Sequence, residues 1–324
     1  MTRRRSWTLA LTLGVGLALV LAEAGLRVSG QFEPPPQVLK PLRPEFNRPD
    51  PELGYTLKPS LRTTFRYPPT STRDLDLVSN RDGFRNSREF DEPDSRPRLW
   101  VLGDSLTSGE GVNAADRVTE VIERLEPGWR VDNLAMTSWG LDSMVRAYER
   151  LSHRLRPSAV LLNFYTDDFR RLRPYYAGMG YPFVKFELEG GRLVDVPFPD
   201  PPGFFGRLRV VQAVEQSYWR FARNRYELNK ALLDRLREHT EPGTRLAVAF
   251  LPGTGDTPED KTRRGFLRDW CQQTGTPYFD LTDTMHGAGN DAVFIPGNPH
   301  WNEHGHELAG RTLHRFLKDA QVLR

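Results

Sequence analysis

The sequence predicts a three-layer α/β/α domain of the flavodoxin-like kind, built on a parallel sheet of five strands. Three observations predict it. From Arg98 onward, short apolar runs alternate with stretches of helical period, the pattern of a parallel sheet covered on both faces. The apolar runs are short and bounded by turn signals, as buried strands are. Candidate reactive residues then fall just past the carboxyl ends of these runs, where open α/β sheets hold their ligands.

In chain order, RLWVL is the first strand and VNAADRVTEVIERLE an amphipathic helix. RVDNL is the second strand, followed by the helix LDSMVRAYERLSHRL, and AVLLNFY is the third strand. An irregular section over 171–225 interrupts the alternation as an insertion. A helix near Ser217 to His239, the strand RLAVAFL and a helix near Pro258 to Gln273 follow it. PYFDL holds the last strand, and a helix from about Asn302 to Ala320 closes the chain. The insertion contains FELEGGRLVDVPF, a hairpin around Gly190-Gly191, and is rich in aromatics: Tyr175, Tyr176, Tyr181, Phe183, Phe204, Phe205 and Trp219. These rings form either a satellite core on the sheet edge or a lid over an acyl or sugar ligand.

With 324 residues, 38% hydrophobic and 27% charged, the chain has the make-up of one large globular domain with appendages. Net charge is only +3, with arginine spread along the chain rather than gathered in a stripe, which argues against a nucleic-acid partner. Cys271 is the sole cysteine, so intramolecular disulfides and multi-thiolate metal sites are excluded.

The N-terminus departs from this average. Arg3, Arg4 and Arg5 precede an uncharged run from Ser6 to Ala22. As a helix the run is roughly 26 Å long, a little short of the hydrocarbon core. Positive charge before it predicts an N-in orientation, with everything after Gly30 outside the cytoplasm. Ala22-Glu23-Ala24 also has the small-residue pattern of a cleavage site. Segment 1–30 is therefore a signal anchor or a signal peptide. Segment 31–95 reads as a proline-rich spacer, QFEPPPQVLKPLRPEFNRPDPE from Gln31, and an extension in which LGYTLKPS and NRDGFRNSREF are short irregular or hairpin segments, with Asp82-Gly83 a turn signal. The domain proper spans 96–324.

Ser105 stands in RPRLWVLGDSLTSGEGV, directly past the first strand. A nucleophilic serine needs a base within hydrogen-bond reach and a group orienting that base. Of seven histidines, His300 in FIPGNPHWNEHGHELAG lies in a Gly/Pro-rich loop just before a helix. Pro299 biases Asn298 toward extended backbone, where alternate side chains share a face. Asn298 can then accept from the imidazole. As a purely structural residue His300 would belong to the helix start, whose N-cap is Asn302.

GDSLTSGEGV near the start and PHWNEHGHELA near the end together resemble the SGNH/GDSL hydrolase family, from about Leu53 to the C-terminus. The membrane-anchored bacterial members are the most similar. They too have a leading hydrophobic segment, an LGY…KP stretch, an N-x-x-GFR element and then the GDS block. The spacing is not the G-x-S-x-G elbow of α/β-hydrolases. The resemblance implies a serine esterase without cofactor or metal, with Ser105 as nucleophile, its N–H as first oxyanion donor, and His300 as base. Other positions depart from the family. Its second-block glycine falls on Ser138, or on Gly140 if the register slips by two. Its asparagine donor falls on Asp167, where an ionised carboxylate would repel an oxyanion unless protonated or turned away. Its acid falls on Gly297 or Asn298, with Asp291 a looped-out alternative. Trp139 and Trp301, each beside a proposed site residue, are candidate walls.

The expected protein is an extracytoplasmic, membrane-anchored esterase or acyltransferase acting on a small acyl ester of a glycan or lipid-like substrate. The altered positions motivate a second expectation, a catalytically silent member that binds plain or acylated polysaccharide. His300-Trp301-Asn302-Glu303-His304 also fits the H-x-x-E-H zinc pattern. That reading lacks room for a third ligand, because only twenty residues follow His304. It leaves His304 and His306 as exposed first-turn residues.

Overall fold

A computed structural model describes residues 2–32, 43–68, 71–172, 185–196, 203–221 and 224–324. Its centre is a parallel sheet of β1 (Arg98–Gly103), β2 (Arg130–Ala135), β3 (Ala159–Tyr165), β4 (Arg245–Leu251) and β5 (Tyr278–Asp280). The spatial order is β5-β4-β3-β1-β2, the flavodoxin-like arrangement. In register, Leu102 of β1 sits between Leu134 of β2 and Leu162 of β3.

Alternation along the strands separates two cores. Trp100, Leu102, Val160, Leu162, Val248 and Phe250 pack with helices α3 (Leu141–Ser152), α4 (Asn224–His239) and α5 (Pro258–Thr274). Leu99, Val101, Leu161, Ala247, Ala249 and Leu251 pack with α2 (Val118–Leu125) and α6 (Glu303–Asp319). Helices thus cover both faces. Their ends follow local rules. Thr257 and Asp260 form a reciprocal capping box at the start of α5, with Pro258 in the first turn and Gly275 left-handed at the end. Asn302 caps α6 by accepting from the Gly305 N–H at 2.9 Å.

One helix is shorter than the sequence suggests. The 112–126 stretch divides into a 3-10 turn at Ala114–Asp116 and α2, with Arg117 extended between them. The cause is a clamp from upstream: Ala114 N–H donates to Asp76 Oδ1 and Asp76 N–H to Asn113 Oδ1, at 3.0 and 2.9 Å. The segment expected as a helix from Ser217 to His239 is helical over Arg209–Phe221 and again over α4, with 222–223 between them outside the described residues.

From Asn47 onward the extension is folded, so the end of the stretch expected as spacer is already strand. Asn47–Asp50 pairs with Gly54–Leu57, and Arg62–Arg66 with Asp74–Val78, in antiparallel hairpins. Leu53, Tyr55, Leu77, Phe84 and Phe90 enter the same core as Trp100. LGYTLKPS is thus in a hairpin, as one of its two expected readings had it, while the partner strand Asn47–Asp50 lies in the stretch whose proline density suggested a spacer. Residues 33–42 lie outside the described residues.

Lys185–Glu189 and Arg192–Val196 form the expected hairpin around Gly190-Gly191. Among the insertion aromatics, Tyr175, Tyr176, Tyr181 and Phe183 and the side chain of Trp219 lie outside the described residues. Phe204 and Phe205 are exposed rather than packed. At the N-terminus, α1 (Thr2–Val28) contains a stretch, Ala10–Val28, long and apolar enough to cross a membrane.

Candidate active site

Ser105 opens a helical turn, Ser105–Ser108, at the carboxyl end of β1. Asp104 caps the turn by accepting from the Leu106 N–H at 3.0 Å. Glycine is required before it: a Cβ on Gly103 would lie 2.3 Å from Thr107 Oγ1, inside the turn itself. Because β1 lies between β2 and β3, the loops after both strands flank Ser105 at the point where strand order reverses.

The loop after β2 settles which residue takes the glycine conformation. Ser138 is left-handed at φ 63°, the region glycine occupies without strain, whereas Gly140 is extended and begins α3. Among the described residues neither the Ser105 nor the Ser138 N–H has a hydrogen-bond partner. Both are free to meet an incoming oxyanion.

His300 is held by its own loop. Phe294 and Trp301 bridge the base, Ile295 N–H donates to His300 O at 2.9 Å, and Asn298 N–H donates to Ile295 O across a turn with Gly297 at φ 68°. The His300 backbone N–H donates to Asn298 Oδ1 at 3.0 Å, which determines which way the amide faces. The same oxygen lies 2.6 Å from His300 Nδ1, so Nδ1 must carry the proton. Nε2 is then the basic nitrogen.

Tyr67 completes this support from the N-terminal extension, a contribution no motif signals. Its hydroxyl oxygen accepts from Asn298 Nδ2 at 3.2 Å and lies 2.9 Å from His300 Nδ1. Tyr67→Phe removes one neutral contact of about 1 kcal/mol. It is expected to lower turnover about fivefold without changing KM, and steady-state kinetics check this. Nearby, Glu110 is buried. Burial works to raise its pKa, but Arg43, donating at 2.9 and 3.2 Å, together with the neighbouring His300 and Thr137, leaves it lowered. Burial in turn lowers the His300 pKa against the pull of Glu110 and Asp104. Burial thus favours the neutral imidazole, the form a base requires.

The remaining sequence candidates sit differently. Asp167 accepts from Arg170 Nη2 at 2.5 Å and lies 3.9 Å from Arg263 Nη1, so two arginines hold its carboxylate. Trp139 and Trp301 are not walls: both rings are fully buried, one packed on Phe84 and the other on His306. His306 is likewise not exposed. Glycine at 305 and 310 lets α6 lie close to its neighbours, and the buried imidazole accepts from the Val118 N–H at 3.3 Å, its pKa pushed down to about 3 by burial. Asp291 is exposed and makes no hydrogen bond or ion pair to His300. Glu303 pairs with Arg73, and the described residues gather no group of three metal-ligating side chains.

Beneath Ser105 lies a cluster that no motif announces. Arg171 Nη1 donates to Asp104 Oδ2 at 2.7 Å, Asp168 Oδ1 at 2.9 Å and Trp139 O at 3.2 Å. Ser105 Oγ donates to the same Asp104 oxygen at 3.2 Å and makes no hydrogen bond to His300 among the described residues.

No family model matches the chain, and no curated protein matches it by sequence. Among solved structures it is similar to TesA, at 12% identity over 69% of this chain and 99% of that one, with a TM-score of 0.45. A lipolytic protein of the G-D-S-L family from Desulfitobacterium hafniense DCB-2 matches at 14% identity over 68% and 100%, with a TM-score of 0.42. The psychrotrophic esterase EstA from Pseudoalteromonas sp., inhibited by monoethylphosphonate, matches at 13% over 68% and 97%, with a TM-score of 0.45. At such distances, what this chain does is decided by its own side chains.

Proposed function

We propose that the chain is a serine esterase or acyltransferase of the SGNH/GDSL type, held outside the cytoplasm by α1 as a signal anchor and acting on a small acyl ester of a glycan or lipid-like substrate. One observation carries the reading. The Asn298 oxygen 2.6 Å from His300 Nδ1 leaves Nε2 as the base, and the serine it would serve opens the turn at the carboxyl end of β1. In the reaction, Ser105 Oγ exchanges its bond to Asp104 for one to His300 Nε2. It then attacks the acyl carbonyl as the proton passes to the imidazole. The Ser105 and Ser138 N–H groups hold the oxyanion, and the imidazolium returns its proton to the departing alkoxide. Water or an acceptor hydroxyl then releases the acyl group by the reverse steps.

An alkyl fluorophosphonate tests this. The expected result is one phosphonyl adduct, found by mass spectrometry on the peptide containing Ser105 and absent from Ser105→Ala. No adduct, or one on another serine, overturns the reading.

Asparagine for the triad aspartate costs a serine protease about 10⁴ in turnover, chiefly through the wrong tautomer. Here the tautomer is already right. Asn298→Asp is therefore expected to raise kcat by only roughly 10- to 100-fold, through stabilisation of the imidazolium. The added carboxylate favours the protonated ring, so the acid limb of the pH–rate profile moves to higher pH. The second reading, a silent polysaccharide-binding protein, draws on the Ser105–Asp104 bond standing where a Ser105–His300 bond would stand. Wild type inert to the phosphonate and activated by Asn298→Asp would favour it.

A further inference from the structure

Segment 203–214 is apolar where it meets solvent. Phe204, Phe205 and Val214 are 77%, 76% and 66% exposed, and Val211 is exposed beside them. The two phenyl rings touch each other at 5.4 Å. Val211 and Val214, three apart, share one face of the helix Arg209–Phe221, while Gln212 is buried. Exposed apolar groups gathered in this way mark a contact surface. Pro201 to Val214 also contains no acidic residue and two arginines, Arg207 and Arg209.

What covers this surface follows from its neighbour. Val210 N–H donates to Glu23 Oε2 of α1 at 3.0 Å, and Arg209 Nη1 donates to Gln31 O, just past α1, at 2.7 Å. Glu23 is the first charged residue after the uncharged run Ser6–Ala22. If α1 spans the membrane, Glu23 marks the outer edge of the hydrocarbon, and the start of Arg209–Phe221 is pinned at that level. We infer that segment 203–214 is a second, interfacial membrane contact. Phe204, Phe205, Val211 and Val214 enter the boundary between headgroups and acyl chains, and the two arginines add positive charge beside anionic lipid. A span alone would let the catalytic domain swivel; a second contact holds the carboxyl end of the sheet at a set attitude to the bilayer. The inference rests on the reading of α1 as an uncleaved span.

Nitroxide depth measurement on the full chain tests it, in vesicles of phosphatidylethanolamine and phosphatidylglycerol. Cys271 stays in place, since it is buried and its thiol pKa is pushed up to about 12. Single labels are introduced by Phe204→Cys, Val214→Cys, Leu17→Cys within α1, and Glu187→Cys on the exposed hairpin. Labels at 204 and 214 are expected about 5–10 Å below the headgroups, shielded from a water-soluble nickel chelate and open to oxygen. The label at 17 is expected deeper, and the one at 187 in water. Labels at 204 and 214 as open to nickel as that at 187, with 17 still deep, overturn the inference and leave the span intact. A nickel-accessible label at 17 overturns the span and the inference with it.

Discussion

Alanine at Ser105 or at His300 is expected to lower turnover of an acetyl ester by about 10⁶-fold, with KM nearly unchanged, and the double variant is expected to fall no further. The reason is that the two act as one unit. Without the Nε2 base the Ser105 hydroxyl is a poor nucleophile, and without the hydroxyl the base has no proton to accept. Neither change is expected to disturb the fold. Ser105 Oγ makes one hydrogen bond, to an Asp104 oxygen that Arg171 also holds, and the partners of His300 Nδ1 lie within its own loop and on Tyr67. The Ser105 and Ser138 N–H groups remain, so residual activity of roughly 10³–10⁴ over water is expected in every variant. Stopped assays on wild type, both single variants and the double variant check this. Losses that multiply in the double variant would mean that Ser105 and His300 act separately, and the proposed mechanism would fail.

The sequence was most informative where side chains follow a period. Four of the five sheet strands are legible because they are buried on both faces and stand between helices with one apolar face; the half-buried edge strand Tyr278–Asp280 is legible from its place between two helical stretches. The Asn298–His300 pair is legible because the two residues flank Pro299 in one short loop, although 298–300 form a bend rather than extended backbone. Partnerships across the fold were not. Tyr67 stands 233 positions from the ring it supports, and its neighbourhood, FRYPPT, carries no pattern that marks a site. Trp139 and Trp301 were misread because adjacency in sequence says nothing of direction. Each follows or precedes a site residue, yet points into the core on the other side of the backbone. His306 was misread for a different reason. First-turn helical residues are commonly exposed, but Gly305 and Gly310 draw α6 close to its neighbours, and a Cβ on Gly310 would lie 2.5 Å from Val121 Cγ1 of α2.

Methionine at Arg171 is expected to destabilise the domain by about 3–5 kcal/mol at neutral pH, the cost of breaking a buried charge network from one side. Arg171 Nη1 reaches Asp104 after β1, Trp139 O after β2 and Asp168 on the turn after β3. One guanidinium therefore joins the three loops that carry Ser105, Ser138 and Asp167. Asp104 and Asp168 are both fully buried, so Arg171→Met leaves two carboxylates facing each other without their shared cation. The pH dependence follows from Asp168. Burial, then the nearby Asp104, raises its pKa well above the ordinary value against the pull of Arg171. A carboxyl raised in the folded state binds its proton more tightly there than when unfolded, so its effect on stability worsens as pH rises between the two pKa values. Removing Arg171 raises it further. The deficit of the variant against wild type is thus greatest near neutrality and narrows on acidification, as Asp168 takes up its proton. Adding Asp168→Asn to Arg171→Met should recover part of the loss at pH 7 by removing one of the two charges. Urea midpoints at pH 7 and in mild acid, for wild type and both variants, measure these differences. A loss that is the same at both pH values and indifferent to Asp168→Asn would show that Arg171 acts by packing alone, and the three loops would need another explanation for their common level.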